Sequence, residues 1–110
     1  MKIKIDAGGI ELVAQLLDTE TGRAVWEALP FEGRASVWGD EIYFSIPVNA
    51  KPEPGAQDEV AVGDLAYWPP GNAFCLFFGP TPASLSTEPR AASPVNVFGK
   101  IEGDATVLKK

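Results

Sequence analysis

The side chains best suited to recognition chemistry alternate along the segment Glu41–Val48, which reads EIYFSIPV. Successive side chains of a strand point to opposite faces, so Ile42 and Phe44 share one face of a predicted strand. Glu41 and Tyr43 share the other face, where a carboxylate lies beside an aromatic ring. This pairing on a face that does not form the core indicates a binding surface.

The single cysteine and the adjacent carboxylates offer little for catalysis. Cys75 lies in an apolar run and the sequence has no histidine to deprotonate it, so we expect a raised thiol pKa and a structural role. The neighbouring carboxylates Asp40–Glu41 and Asp58–Glu59 would point to opposite faces of a strand, so neither pair can form a general acid–base dyad unless a turn intervenes. Without histidine or a cysteine cluster the sequence predicts no metal site, and without a glycine-rich phosphate loop it predicts no cofactor.

Net charge and composition exclude several classes of partner. The 110 residues carry 9 basic and 15 acidic side chains, a net charge of −6, and the basic residues are scattered. We therefore expect neither a nucleic-acid partner nor a membrane partner. No apolar run approaches the ~20 residues of a membrane span. The N-terminus lacks the apolar core of a signal peptide and a lone cysteine suits a reducing compartment, so we expect a cytoplasmic protein.

The elements that must position these residues are organised around a hairpin within residues 63–82. Two strand-like segments, Leu65–Trp68 and Phe74–Phe78, flank the sequence Pro-Pro-Gly-Asn. Proline presets the backbone at the entry of a turn, and glycine or asparagine accepts a positive φ at its exit. Apolar residues occupy both faces of the second segment, so the pattern alone leaves open which face is the core.

Alternating segments before this hairpin predict further strands and one helix. Lys2–Asp6 and Ile10–Leu17 flank a Gly-Gly turn, and Gly-Asp separates two later strands. Thr19 can cap a helix over Glu20–Leu29, which Pro30 ends.

After the hairpin, the segment Pro80–Pro94 is polar and has no periodicity, so it is predicted to be a long, functional loop. A last strand follows from Val95 to Ile101. The chain is therefore predicted to be mostly β: a single domain over residues 1–110 with about eight short strands and one short helix, built as a closed antiparallel barrel or as a sandwich. Of the two, the barrel is favoured because its closure protects the edges of short strands.

The second half of the sequence resembles the cyclophilin fold. Residues 70–78 (PGNAFCLFF) are similar to the cyclophilin glycine-rich turn and Phe-Phe strand, and residues 97–101 (VFGKI) to its closing strand. Nearly the whole chain resembles a small prokaryotic cyclophilin-like family of uncharacterised function. The segments that carry this resemblance are residues 38–45 (WGDEIYFS) and residues 63–71 (GDLAYWPPG). The resemblance implies a closed antiparallel eight-stranded barrel with the short helix over residues 20–29 capping one end.

The resemblance does not carry the cyclophilin activity over to this chain. Cyclophilins use an arginine after Phe-His, a Gln-Gly-Gly-type segment, a loop tryptophan and a pocket histidine, and none of these motifs is present. Prolyl isomerisation needs a donor that stabilises the twisted amide, and Arg34 and Arg90 are the candidates for that role. Phe78 is the counterpart of the cyclophilin pocket phenylalanine, and Trp68 beside it should partly fill the proline slot.

Three functions remain open on the sequence. The first is a cyclophilin-like binding module without efficient isomerase activity. Its partner is an extended peptide or a small apolar molecule in an aromatic groove, bounded by Glu41, Tyr43, Trp68 and Phe78 with the Pro80–Pro94 loop as its rim. The second is a divergent peptidyl-prolyl cis–trans isomerase. The third is a structural homodimer or larger oligomer with the aromatic patch as its interface.

Overall fold

The computed structural model describes residues 1–109 and has the predicted mostly-β composition, with eight strands and one α-helix. The strands are β1 Lys2–Ala7, β2 Ile10–Leu16, β3 Ser36–Val37, β4 Glu41–Ser45, β5 Gln57–Glu59, β6 Asp64–Trp68, β7 Ala73–Phe77 and β8 Arg90–Glu102. The helix is α1 Glu20–Ala28, and short 3₁₀ turns lie at Pro69–Gly71 and Ala105–Lys109. Within residues 1–109, no helix is both long and apolar enough to cross a bilayer.

The strands form an open half-barrel, so the prediction of a closed barrel is wrong. The antiparallel order is β1-β2-β8-β6-β7-β4-β3, and β1 does not pair with β3. β3 has only two residues and the chain from Leu29 to Ala35 forms no strand, so β1 has no partner long enough to complete a closed sheet. Phe31 lies over this gap, with its ring centroid 6.1 Å from that of Phe44.

The helix forms where it was predicted, apart from its last residue. The Thr19 hydroxyl accepts a hydrogen bond from the backbone N–H of Gly22 at 2.9 Å, which satisfies one of the free donors of the first turn. Val25 is fully buried in the core, and Ala24 and Ala28 pack beside it. Leu29 is the C-cap rather than the last helical residue.

The central hairpin has the turn geometry that its sequence predicts. Asn72 has a φ of 47° at the exit of the Pro-Pro-Gly-Asn turn, as predicted. β6 and β7 pair antiparallel, with Ala66 opposite Cys75 and Trp68 opposite Ala73. Residues directly opposite each other share a face, so Trp68 is on the same face of the sheet as Cys75.

Both faces of the sheet bury apolar side chains. We call the face toward the helix the inner face; it holds the main core, which includes Phe74, Leu76 and Phe98. The outer face has a second, smaller core that includes Cys75 and Phe77. This second core exists because another part of the chain covers the sheet there.

The covering segment is the first half of β8, which was predicted to be loop as far as Pro94. It pairs with β5, with Glu59 opposite Arg90 and Gln57 opposite Val95. Ala91 and Val95 are buried in the outer core. β8 continues into the inner core at Phe98, so this one strand contributes to both cores.

A buried polar network fixes residues 49–56 against the helix and β8. The Asn96 amide is 2% exposed and donates to the Lys51 carbonyl at 2.9 Å and to the Thr21 hydroxyl at 3.1 Å. Its oxygen accepts from the Glu53 backbone N–H at 2.9 Å. The Glu53 carboxylate in turn accepts from the hydroxyl and the backbone N–H of Thr21.

Candidate functional site

A cavity of about 260 Å³ opens on the outer face of the sheet. Its lining combines three aromatic rings, three small apolar side chains, one carboxyl group and one thiol. These residues are Trp38, Tyr43, Trp68, Ala91, Ala92, Val95, Glu41 and Cys75. The three aromatic residues are half-buried and Ala92 is exposed, so the cavity can be reached from solvent. The volume equals that of roughly nine water molecules in the liquid, which suits a small molecule.

The cavity exists because large rings stand around small side chains. Tyr43 on β4 lies directly opposite Cys75 on β7, and Trp68 reaches the same face from β6. The Trp68 indole N–H donates to the Ser93 hydroxyl at 2.7 Å, which holds the ring against β8. Cys75 and the alanines of β8 are too small to fill the space that these rings enclose.

Glu41 is a buried carboxylic acid in this largely apolar lining. It is 5% exposed, and burial raises its pKa to about 7 from an ordinary value of 4.5. A hydrogen bond from the Cys75 thiol opposes this shift only in part. Among residues 1–109, no ion pair includes Glu41. The carboxyl group therefore titrates near neutral pH, and it borders a cavity large enough for a small molecule.

Cys75 has the structural character that the sequence predicts. Its side chain is 2% exposed, and burial together with the nearby Glu41 carboxylate raises the thiol pKa far above its usual range. Such a thiol is not a nucleophile at neutral pH.

Three of the four predicted ligand-binding residues meet at the cavity, and the fourth does not. Glu41, Tyr43 and Trp68 all line it, whereas Phe78 is 4% exposed within the inner core. Phe78 alternates with Cys75 along the strand and so belongs to the opposite face. The predicted groove that includes Phe78 is therefore corrected to a cavity on the Cys75 face.

Sequence reasoning missed Trp38 and Val95 of the lining and included Ala91 and Ala92 only as part of a loop. Ser36 pairs with Tyr43, so Trp38, two residues later, falls on the Tyr43 face by the same alternation. That signal was available in the sequence. Ala91 and Ala92 lie within the predicted loop rim, so part of the rim does border the cavity.

The two candidate arginines are outside the cavity lining. Arg90 is held by carboxylates of Asp58, Glu59 and Glu88 at 3.1 to 3.2 Å, and its pKa is raised by its hydrogen bond to Glu88 and by its contact with Asp58. Hydrogen bonds, first from the backbone N–H of Leu85, lower the pKa of Glu88 to about 2. Arg34 is exposed in the segment that precedes β3.

Comparison with known proteins adds a family and a structural relative. The model of a family described as Cyclophilin-like matches residues 1–110. The solution structure of the hypothetical protein AF2241 from Archaeoglobus fulgidus is 45% identical, with a TM-score of 0.78 over 93% of this chain and 79% of that chain. No curated protein matches the sequence significantly.

Proposed function

The chain belongs to the cyclophilin-like family, and we propose that it is a binding protein that takes a small molecule with an apolar body into the outer-face cavity, without efficient prolyl isomerase activity. The observation that carries this proposal is the cavity itself: about 260 Å³ of space bordered by three aromatic rings and one buried carboxyl group. Ligand sites are typically apolar concavities with few, well-placed polar groups.

The size of the cavity favours a small molecule over an extended peptide. Sites for drug-sized ligands typically have volumes of about 300 Å³ or more, slightly above that of this cavity. An extended peptide would need a channel along the sheet, whereas β8 covers the outer face on the side of Ala91 and Val95. A ligand of roughly ten non-hydrogen atoms fits these limits.

The isomerase alternative has weaker support in the geometry. A donor for a twisted amide must reach the reacting atoms, and the guanidinium of Arg90 already binds three carboxylates. Arg34 is exposed and does not border the cavity.

A fragment screen with a filled-cavity variant tests the proposal. Ala92→Phe places a ring at the mouth of the cavity, and Ala61→Phe adds the same ring at an exposed position away from the lining. We expect ligand-observed NMR to find fragments that bind the unmodified protein and Ala61→Phe but lose binding to Ala92→Phe. Fragments that bind all three proteins equally, or no binding fragment at all, would contradict the proposal.

A further inference from the structure

We propose that the ligand of the outer-face cavity is an organic cation whose ammonium group lies between the aromatic rings and the Glu41 carboxylate. This inference rests on the proposed function and specifies the chemical class of its ligand. It derives from the composition of the lining, which combines Trp38, Tyr43 and Trp68 with one acidic side chain and no basic one.

The aromatic part of the lining suits a cation with an apolar surface. The faces of tryptophan and tyrosine rings carry negative electrostatic potential and attract ammonium groups that lie within about 6 Å of the ring centroid. Alkylated ammonium groups gain most from such a site because their methyl groups also bury apolar area. Close packing alone does not explain three such rings around one cavity, because the rings leave the space between them unfilled.

The charge distribution around the cavity favours the same sign of ligand. The titratable side chains of the lining are Glu41 and Tyr43 from β4 and Cys75 from β7; β6 contributes Trp68 and β8 only apolar residues. Of the charged groups next along the chain, Asp40 pairs with Lys109, and Arg90 pairs with acidic residues of β5 and the preceding loop. An anionic ligand would therefore meet no positive charge in this lining.

The Glu41 carboxylate would stabilise a cation bound beside it. A buried carboxylate without an ion-pair partner is unfavourable, and a positive charge beside it restores the ionised form. The raised pKa of about 7 is the consequence expected for a buried carboxyl group that lacks such a partner. Cation binding should then release a proton near neutral pH, so affinity should increase with pH.

The test compares choline with 3,3-dimethylbutan-1-ol, which has the same shape with carbon in place of the charged nitrogen. We expect calorimetry of the full chain at pH 8.5 to show choline binding at least about tenfold tighter than the alcohol. If only the ionised Glu41 binds choline, the affinity should fall by about thirtyfold between pH 8.5 and pH 5.5, following the ionised fraction of a group with pKa about 7.

The isosteric variant Glu41→Gln separates charge from shape. It should lose the preference for choline and its pH dependence, yet bind the alcohol within about threefold of the unmodified protein. Glu27→Gln removes a carboxylate at an exposed helix position and should leave both affinities unchanged. A further probe, N-acetyl-trimethyllysine amide, distinguishes a free cation from a modified lysine side chain. Tighter binding of choline would assign a free cation as the ligand, and tighter binding of the lysine derivative would assign a modified lysine.

The outcomes distinguish this inference from the proposed function. Equal or tighter binding of the alcohol, or choline binding that persists in Glu41→Gln at pH 8.5, would overturn the cation while leaving a small-molecule site. If neither probe binds but fragments of other chemistry do so in an Ala92-dependent manner, the cation is again overturned alone. If nothing binds, both fail.

Discussion

At the scale of single residues, Glu41 is a buried carboxyl group whose ionised form is unfavourable in the folded protein. A carboxyl group with 5% exposure in an apolar setting must lose either its hydration or its charge. Nothing in the inner core requires it, since it lies on the outer face of the sheet with Tyr43 and Cys75. Buried ionisable groups with strongly shifted pKa values cluster at functional sites, which is why Glu41 is the first residue to test.

The pH dependence of unfolding should reveal this cost. Glu41 has a pKa of about 7 in the folded protein against an ordinary value of 4.5, so the unfolded chain releases this proton at a lower pH than the folded protein does. The penalty is absent below pH 4.5, grows as pH rises to 7 and is complete above it, at about 3 kcal/mol. Glu41→Gln should therefore raise the free energy of unfolding by about 2–3 kcal/mol at pH 8 and change it little at pH 4.5.

Urea unfolding at the two pH values measures this difference, and Glu27→Gln is the matched control because Glu27 is exposed. An equal effect of Glu41→Gln at both pH values would show that packing, rather than the carboxylate charge, causes the change.

The arginine side chains make a second prediction at the residue scale. In a protease-coupled assay with a prolyl peptide, we expect no acceleration above the uncatalysed rate, because Arg90 is engaged and Arg34 lies outside the cavity. Turnover that disappears in Arg34→Ala or Arg90→Ala, with folding preserved by circular dichroism, would establish the isomerase alternative instead.

At the scale of elements, the sequence predicts local structure well and the covering of the sheet poorly. Turn chemistry and alternation locate the helix, the central hairpin and the face shared by Glu41 and Tyr43. The central hairpin strand is apolar on both faces, however, so alternation could not show which face borders the cavity. The resemblance to cyclophilins pointed to Phe78, while the register places Trp68 with Cys75 on the other face.

β8 explains why its own contribution to the cavity lining could not be predicted from the sequence. Its first residues, with Pro94 and little periodicity, show a loop-like pattern, and their strand structure depends on pairing with β5. Arg90 stabilises that pairing through its contacts with Asp58 and Glu59. These contacts join residues about thirty positions apart, and no local signal in either segment predicts them.

The polar network of Asn96 gives a prediction for this element. Asn96→Ala would leave the Glu53 N–H and the Lys51 carbonyl without their partner, so we expect a loss of about 2–3 kcal/mol in the free energy of unfolding. Asn49→Ala changes an exposed asparagine of the same segment and should have little effect. A similar small loss in both variants, measured in urea, would show that the network does not anchor residues 49–56.

At the scale of the whole molecule, the half-barrel presents two separate cavities. The gap between β1 and β4 leaves about 550 Å³ bordered by inner-core residues that include Phe31 and Phe44, in addition to the smaller outer-face cavity. Closure of the barrel was expected because unpaired edges invite association. The free edge at β1 instead carries Lys2 and Lys4, which form surface ion pairs with Glu102 and Glu11.

Because the two cavities lie on opposite faces of one sheet, locating a bound ligand tests the proposed site most directly. The three tryptophans serve as reporters, since Trp38 and Trp68 border the outer-face cavity and Trp26 is exposed on the helix. In ¹H–¹⁵N spectra recorded during a choline titration at pH 8.5, the indole signals of Trp38 and Trp68 should shift together while that of Trp26 stays in place. Shifts confined to Trp26 or to residues around Phe31 and Phe44, with Trp38 and Trp68 unmoved, would contradict the assignment of the outer-face cavity as the ligand site.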